Sequence, residues 1–477
     1  MRASAAPIPL APPAIKATFP DSLIGPPSQT CCQPIHHRVR FLADERALDE
    51  YNAFVVTRAR SFVQQFTGTL RDNPAVLPLY VTTLITMLGQ GLISPVLPLF
   101  AKSFGVGATA VGFAVGVFGL ARLGANLPAG LVGQRFGHKR LLVAGPVIVG
   151  LSTAASGLAP DYHLFLVFRF LAGVGSSIYM TSAITYLADI STRANRARMM
   201  SMQQGSLLIG ITLGPVFGGL VAHAFGLRAP FLLMGVVGCI SGLWCLLQVK
   251  PPPKKEAPVA EGESGVRGSS GSVLLGLLSS PSFLAVSLFS MAIFFTRGGS
   301  LFNVGALRGS DELGLGVGQL GFVFGAGAVA TFIATLSAGT IADRFGRKAA
   351  IAPASVLAAA GLALMAWSGG FWTYMLAQVC AGVGLGISGP APAAYAADLA
   401  PQGQSGLTMG LFRTFSDVGL VVGPTFLGWL SDLASYNAAL VVNGGIIVLA
   451  GLVLLLVAKE TAGGLVRRPP DGQPVKG

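Results

Sequence analysis

Charged residues are scarce in this sequence. Asp, Glu, Lys and Arg make up 11% of the 477 residues, whereas hydrophobic residues make up 52%. A typical soluble domain carries about 25% charged residues, and the mean hydropathy of this chain is +0.67. The composition therefore excludes an ordinary soluble domain and predicts a protein with several membrane-spanning segments.

Motifs of catalysis are missing as well. The sequence has no HExxH, no GxSxG with partner residues and no cluster of metal ligands, so we expect neither an enzyme nor a metal site. It also has no P-loop of the form GxxxxGK[ST], which argues against direct drive by ATP. The five cysteines form no CxxC and give no information about the compartment. We expect no cofactor.

The net charge of +13 would suggest nucleic acid as the partner of a soluble protein. Here most positive charges lie in short loops and tails beside apolar segments. The basic set of loops carries Arg135, Lys139, Arg140, Arg193, Arg196, Arg198, Lys250, Lys254, Lys255, Arg267, Arg344, Arg347, Lys348, Lys459, Arg467 and Arg468. The positive-inside rule places this set in the cytosol or its organellar equivalent. We therefore expect a lipid bilayer as partner and no nucleic acid.

Apolar runs that reach or approach the length needed to cross a bilayer, about 20 residues, recur along the chain. We interpret them as twelve helical spans: 74–101, 108–132, 139–159, 162–188, 197–222, 229–249, 281–305, 316–338, 348–368, 371–397, 405–429 and 434–458. An even number of spans returns both termini to the basic side, in agreement with the charge distribution.

The chain also repeats itself at an offset of 209 residues. The segment GLVGQRFGHK at 130–139 recurs as GTIADRFGRK at 339–348, and Gly214-Pro215 recurs as Gly423-Pro424. Matches in one register indicate an internal duplication, whose two halves can rock about a site between them. The expected fold class is an all-α integral membrane protein with twelve transmembrane helices in two pseudo-symmetric six-helix halves.

Domain boundaries follow from these spans. Residues 74–249 form the N-terminal half and residues 281–458 the C-terminal half. A cytosolic linker at 250–280 joins them, and residues 459–477 form a cytosolic tail. The linker is rich in Pro, Gly and Ser and is either a flexible tether or a regulatory loop.

The residues before the first span differ from the rest. Residues 1–43 are rich in Ala, Pro and Ser and poor in acids, which is typical of a transit peptide or of a disordered tail. Residues 44–73 have apolar side chains at helical spacing among arginines, as in an amphipathic helix that lies on the membrane. The location is therefore either an organellar membrane, such as a chloroplast envelope, or the plasma membrane.

The doubled loop at 130–139 and 339–348 points to a family. Twelve spans, a central linker and a G-x-x-x-D-R-x-G-R-K loop in each half resemble the major facilitator superfamily of secondary transporters, over about residues 74–460. In that family the loop lies at the cytosolic face and steadies one gate state. The gating residues that the resemblance implies are Gly130, Gln134, Arg135, Gly137, Lys139, Gly339, Asp343, Arg344, Gly346, Arg347 and Lys348. Because Gln134 stands where the pattern has aspartate, we expect a weaker latch in the first half.

Two helical motifs extend the resemblance. RFLAGVG at 169–175 is similar to a signature of proton-coupled members, and GITLGPVFGG at 210–219 resembles the antiporter motif of exporters. GLVVGPTFLG at 419–428 repeats the latter in part. A proline inside a helix permits a bend and glycines allow close contact, so tight packing alone is the alternative. The helix-bend residues are Gly214, Pro215, Gly218, Gly423, Pro424 and Gly428.

Charges inside a bilayer are costly, which makes each a candidate for function. Asp417 lies about 18 Å into its span, at about 1.5 Å per residue, and is the only acid that we find deep within a span. Arg413 lies one turn away on the same face, so we expect the two to pair. The pair is either the proton-coupling group or a static support. The other candidates for proton coupling or substrate contact are Arg122, Arg169, Arg297 and Gln90.

The excess of arginines over acids within the spans favours an organic anion or an amphiphile as substrate, unless Arg122 and Arg297 instead snorkel or bind backbone carbonyls. The expected function is a secondary active transporter, a proton-coupled exporter of a small organic solute that acts as a monomer. A facilitative or importing carrier of the same family and a non-transporting membrane sensor are the alternatives.

Overall fold

The structure is a computed structural model that describes residues 76–191, 195–249, 270–345, 347–401 and 404–458. These residues are almost entirely helical and contain no strand. The predicted segments 1–43, 44–73 and 459–477, and most of the linker, lie outside the described residues. In chain order the α-helices are α1 Leu77–Ile93, α2 Leu97–Lys102, α3 Ala108–Phe136, α4 His138–Leu158, α5 Tyr162–Ile190, α6 Arg196–Phe225, α7 Ala229–Gln248, α8 Ser270–Leu278, α9 Pro281–Phe295, α10 Gly305–Asp311, α11 Val317–Phe345, α12 Arg347–Trp367, α13 Phe371–Ser388, α14 Pro390–Asp398, α15 Ser405–Leu433 and α16 Tyr436–Val457.

Helix boundaries repeat at the same offset as the sequence. Four helices of the first half begin 209 residues before a helix of the second half. These pairs are α3 with α11, α4 with α12, α5 with α13, and α6 with α15. The internal duplication in the sequence is therefore also a duplication of the fold.

Nine helical segments of the described residues are long and apolar enough to cross a membrane. Two shorter apolar helices, Leu77–Ile93 and Ile351–Trp367, accompany them. The segment Pro281–Asp311 is one of the nine, extends beyond the predicted end at residue 305, and is π-helical over Thr296–Val304. The fold class is confirmed, whereas the count of twelve spans stays a prediction.

Three helix starts of the described residues carry a side-chain cap. The side chains of Asp161, Ser280 and Ser435 accept hydrogen bonds from backbone N–H groups three residues ahead, at the starts of α5, α9 and α16. Such caps satisfy N–H groups that have no partner within the helix. Helix α3 has Gly107 as its N-cap, and no side chain of its own caps it.

Glycines of the Gly-Pro motifs pack helices within each half. A Cβ atom on Gly214 of α6 would overlap Gly91 of α1, and one on Gly218 would overlap the carbonyl of Leu92. In the second half, a Cβ atom on Gly423 of α15 would lie 2.6 Å from the carbonyl oxygen of Phe295. Small residues let helix backbones approach where no hydrophobic force acts between helices in lipid.

The halves meet along two symmetry-related helix pairs, which we call the α3/α15 interface and the α6/α11 interface. A Cβ atom on Gly112 of α3 would overlap the carbonyl oxygen of Pro424 in α15. A Cβ atom on Gly321 of α11 would lie 2.8 Å from the carbonyl oxygen of Pro215 in α6. The same glycine-on-proline contact therefore occurs at both interfaces, so the motifs that we expected to permit helix bending also join the halves.

Candidate functional site

Asp417 lies at the α3/α15 interface. Its side chain is 5% exposed, and its carboxylate lies 3.7 Å from Nη2 of Arg122 in α3. The side-chain amide of Asn126, also in α3, donates a hydrogen bond to the other carboxylate oxygen at 3.3 Å. The acid is therefore held by two side chains of the opposite half.

This arrangement corrects the expected pairing of Asp417 with Arg413. The two residues are one turn apart on α15, but the side chain of Arg413 is exposed, and Arg122 is the arginine within ion-pair distance. Arg413 still lies close enough to interact electrostatically with both Arg122 and Asp417. The pair consequently links two helices and two halves instead of stabilising one helix.

Asn126 was not predicted as a site residue. It lies one turn after Arg122, on the same face of α3, and its amide joins Asp417 to a second helix. The hydroxyl of Ser177 in α5 donates to the Asn126 carbonyl oxygen at 2.7 Å. The signal available in the sequence was an amide in an apolar span, four residues after the candidate Arg122.

Arg169 in α5 is buried, with 7% exposure, and its guanidinium lies 4.9 Å from the ring centre of Phe118. No hydrogen bond or ion pair to Arg169 is found within the described part of the chain, and its Nε is buried without a partner. Ser176 lies seven residues further along the same face and accepts from the amide of Gln90 at 3.2 Å. Arg169 is therefore a buried positive charge with an aromatic neighbour and no counter-ion among the described residues.

Arg297 does not join the Asp417 group. It is half-buried in the π-helical segment Thr296–Val304, and no ion pair involves it within the described ranges. Single π-helical turns occur frequently at functional sites. The candidates of the sequence therefore separate into four places: Asp417 with Arg122 and Arg413, Arg169 beside Phe118, Gln90 with Ser176, and Arg297.

The loop of the first half turns at one residue. Helix α3 ends at Phe136, α4 begins at His138, and Gly137 between them has φ +86. That conformation favours glycine, as the tight-turn role of Gly137 requires. Arg135 is exposed, and Lys139 and Lys348 are half-buried. The structure does not describe the side chains at positions 130, 134 and 339–347. The expected roles of Gln134 and Asp343 therefore stay predictions.

The α3/α15 interface is closed towards one end and open towards the other. We call the end with Arg140 and Lys348 the basic end, and the end with Asp161 and Asp432 the acidic end. Towards the acidic end, Gly428 of α15 packs on the carbonyl of Ala108, and Gly116 of α3 packs on that of Val421. Towards the basic end the same face of α15 continues through Thr414 and Gly410, which are exposed, and no neighbouring atom of the described residues lies within 4 Å of a Cβ placed on Gly410. Asp417 lies between the closely packed part of the α3/α15 interface and the exposed part of α15.

Comparison with known proteins then fixes the family. The model of the Major Facilitator Superfamily matches residues 79–317 and 298–476. The chain belongs to the Major Facilitator Superfamily. It is accordingly a multi-pass membrane protein and a secondary transporter of small molecules, and not an enzyme.

Named relatives from this superfamily cover most of the chain. Multidrug resistance protein 2 of Bacillus subtilis is 26% identical over 378 residues, 79% of this chain and 93% of that protein. Quinolone resistance protein NorA of Staphylococcus aureus is 23% identical over 390 residues, 81% of this chain and 97% of that protein. These relatives give no support for a chloroplast or other organellar location.

Solved structures share the fold at lower identity. A bacterial homologue of the human lysosomal transporter Spinster, in an inward-facing and occupied conformation, has a TM-score of 0.67 at 16% identity and covers 81% of this chain and 97% of its own. The nucleoside transporter NupG also has a TM-score of 0.67, at 11% identity, and covers 81% of this chain and 100% of its own. At this identity the likeness concerns the fold alone.

Proposed function

We propose that this superfamily member is a proton-coupled exporter of small organic amphiphiles that works by alternating access. The observation that carries the proposal is the pair of Asp417 and Arg122, an acid and a base of opposite halves that meet 3.7 Å apart in a buried site. Ionisable residues inside a membrane protein are commonly parts of proton pathways. A pair that spans the two halves can relate a protonation event to their movement.

The coupling step follows from charge. A proton on Asp417 removes the carboxylate charge, so the attraction between α15 and Arg122 of α3 is lost. The repulsion between Arg122 and Arg413, which interact electrostatically, is then no longer offset by the negative charge of Asp417. Protonation therefore favours separation of α3 and α15, and deprotonation favours their contact.

The direction of transport rests on two supports. The segment at 210–219 resembles the antiporter motif of exporters, and the named relatives include a multidrug resistance protein and a quinolone resistance protein.

Phe118 beside Arg169 offers an aromatic and a cationic surface together, which suits amphiphilic molecules with an aromatic ring. Exchange requires that proton and substrate exclude each other, which a neutral or cationic group placed at the ionised Asp417 would achieve.

An importing carrier of an organic anion is the second candidate, and the same pair favours it. An anion that binds Arg122 or Arg413 competes with the carboxylate of Asp417, which then binds a proton more readily. Anion and proton would thus bind together and move in the same direction, inward along an inward proton gradient. Arg169, with no counter-ion among the described residues, adds to the attraction for an anion.

Proton movement in proteoliposomes separates the two candidates. Purified full-length protein is reconstituted with a pH-sensitive dye inside, and a gradient of each test compound is imposed without a pH gradient. Protons moving against the compound indicate exchange, and protons moving with it indicate the importing carrier. Flux without proton movement would identify a facilitative carrier, and no flux for any compound would favour a sensor. Either of these last results would overturn the proposal.

We further propose that the carrier acts as a monomer, and that residues 1–43 decide between an organellar and a plasma membrane. A fluorescent fusion of the full chain is compared with one that lacks residues 1–43. If both reach the same membrane, the transit-peptide interpretation is wrong and the segment is a tail.

Particle mass in detergent, measured by light scattering with the detergent subtracted, tests the proposal that the carrier is a monomer.

A further inference from the structure

Helix α3 receives its cap from the other half of the protein. Its N-cap, Gly107, has no side chain, and Asp432 near the end of α15 supplies the missing acceptors. One carboxylate oxygen accepts from the backbone N–H of Ala108 at 2.8 Å. The other accepts from the backbone N–H of Thr109 at 2.8 Å and from its hydroxyl at 2.6 Å. Both oxygens of Asp432 are therefore engaged across the halves.

Two other helix starts at the acidic end are capped by side chains of their own half. Asp161 caps its own helix α5 by accepting from the N–H of Leu164 at 3.0 Å. At the start of α11, the equivalent of α3, the side chain of Gln319 accepts from the N–H of Gly316 at 3.0 Å. The position 209 residues before Asp432 is His223, whose ring packs near Gly318 without a hydrogen bond to α11 among the described residues. Of these starts, that of α3 alone depends on the opposite half.

Asp432 is ionised at neutral pH. Burial raises its pKa, but hydrogen bonds from the Thr109 hydroxyl and from the backbone of Thr109 and Ala108 outweigh burial, so the pKa lies below its usual value. A carboxylate is stabilised at a helix N-terminus, where unpaired N–H groups concentrate partial positive charge.

A second polar contact crosses the halves at the same end. Lys102 forms an ion pair with Asp311, and the hydroxyl of Tyr436 donates to the same carboxylate oxygen at 2.6 Å. Lys102 and Asp311 are 209 residues apart, so they are equivalent positions of the two halves, and their contact lies on the pseudo-twofold axis. The cap at α3 lies away from this axis and exists at one interface only among the described residues.

We propose that Asp432 is a positioning residue of the transport cycle, which holds the acidic end closed by capping α3 across the halves. Opening the acidic end separates the start of α3 from the end of α15, so all three hydrogen bonds break and α3 loses its cap. Asp432 therefore favours the conformation that is open at the basic end. The proposal depends on neither the coupling ion nor the substrate.

The test measures both ends of the bundle in the full chain, in lipid nanodiscs without substrate. One pair of nitroxide labels is placed at Leu158→Cys and Trp367→Cys, which are exposed near the acidic end, and another at Arg140→Cys and Pro401→Cys, which are exposed near the basic end. The native cysteines are replaced beforehand. Distance distributions come from double electron–electron resonance.

Asp432→Ala is expected to raise the ratio of open to closed molecules at the acidic end about tenfold, because a capping acid and its interaction with the helix dipole are lost. The distance at the basic end should shorten in the same molecules, which a mere loss of stability would not cause. Asp432→Asn should have a smaller effect, since its amide oxygen still accepts a hydrogen bond.

Two variants make the result specific. Asp161→Ala removes a carboxylate cap at the same end but within one half, and should leave both distances unchanged. His223→Asp places a carboxylate at the equivalent site beside α11 and should shift the acidic end towards closed, even if Asp432→Ala fails to fold. Unchanged distances in both Asp432→Ala and His223→Asp, or an equal response to Asp161→Ala, would overturn the proposal.

Discussion

The two interfaces between the halves have the same packing and different chemistry. Both place a glycine on the carbonyl of a motif proline, Gly112 on Pro424 and Gly321 on Pro215. Among the described residues only α3/α15 also carries buried charge, whereas the equivalents of Arg122 and Asp417 at α6/α11 are threonine and leucine. The internal duplication therefore gave the two interfaces the same close packing, and the ion pair is present at one of them.

Among variants that test this difference between the two interfaces, removal of the Asp417 carboxylate should have the largest effect. Asp417→Asn cannot exchange a proton, so proton-coupled transport in proteoliposomes is expected to fall to the rate of liposomes without protein. The matched variant at the other interface is Leu208→Asn, which introduces the same amide and should retain most of the rate. Full coupled transport in Asp417→Asn would show that the coupling group lies elsewhere.

Removal of the Arg122 guanidinium should have the second-largest effect on transport. Arg122→Gln leaves a buried carboxylate without its ion-pair partner, a change that costs about 3–5 kcal/mol in buried pairs, and transport should fall at least tenfold. Because Asp417→Asn alone is expected to reach the background rate, the double variant is compared by stability. In Arg122→Gln/Asp417→Asn no carboxylate is left unpaired, so its Tm should lie above that of Arg122→Gln. The control is Thr331→Gln at α6/α11. Strictly additive losses of stability in the double variant would contradict an interacting pair.

The shared packing can be broken at either interface. Gly112→Ala forces a methyl group onto the carbonyl of Pro424, and Gly321→Ala forces one onto that of Pro215. Each backbone must shift, so each variant should lose about 1–3 kcal/mol of stability. Thermal unfolding in detergent should give a lower Tm for both. If Gly112→Ala were as stable as the parent, the close contact between α3 and α15 would not represent the resting state.

The smallest expected effect concerns the loops at the basic end. Gln134→Asp restores the acid of the loop pattern in the first half, and Asp343→Asn removes it from the second. An exposed ion pair contributes about 0–1 kcal/mol, so the open fraction at the basic end should change by no more than about fivefold, falling in the first variant and rising in the second. The label pair at Arg140 and Pro401 measures both. Shifts of the same sign would contradict a latch role for these acids.

Much of the fold could be predicted from the sequence. Apolar runs and the 209-residue repeat predicted helices that recur at the same offset, and the doubled loop predicted the family that the comparison confirms. The breaks were not predicted. The expected span 74–101 is interrupted between Ile93 and Leu97, and the expected span 371–397 is interrupted at Gly389. Hydropathy is insensitive to a local turn inside an apolar run, because the composition stays apolar on both sides.

The positions of the charged candidates could be read from the sequence, whereas their pairing could not. Asp417 and Arg122 were both candidates, yet the expected partner of Asp417 was Arg413, since helical spacing is the one contact rule that a sequence displays directly. The contribution of Asn126 was missed because an amide carries no charge to mark it. The cap of α3 by Asp432 was missed because Gly107 gives no sign of where a cap would come from.

The sequence by itself determined the class, the duplication and which buried positions carry charge, since each depends on composition and spacing along one chain. The tertiary structure decided which charges meet. Asp417 contacts Arg122, and Asp432 contacts the start of α3. In both cases the contact joins the two halves and residues that are far apart in the sequence. Such contacts depend on how each helix is rotated about its axis, and helices that are apolar all round leave that rotation open until their neighbours pack against them.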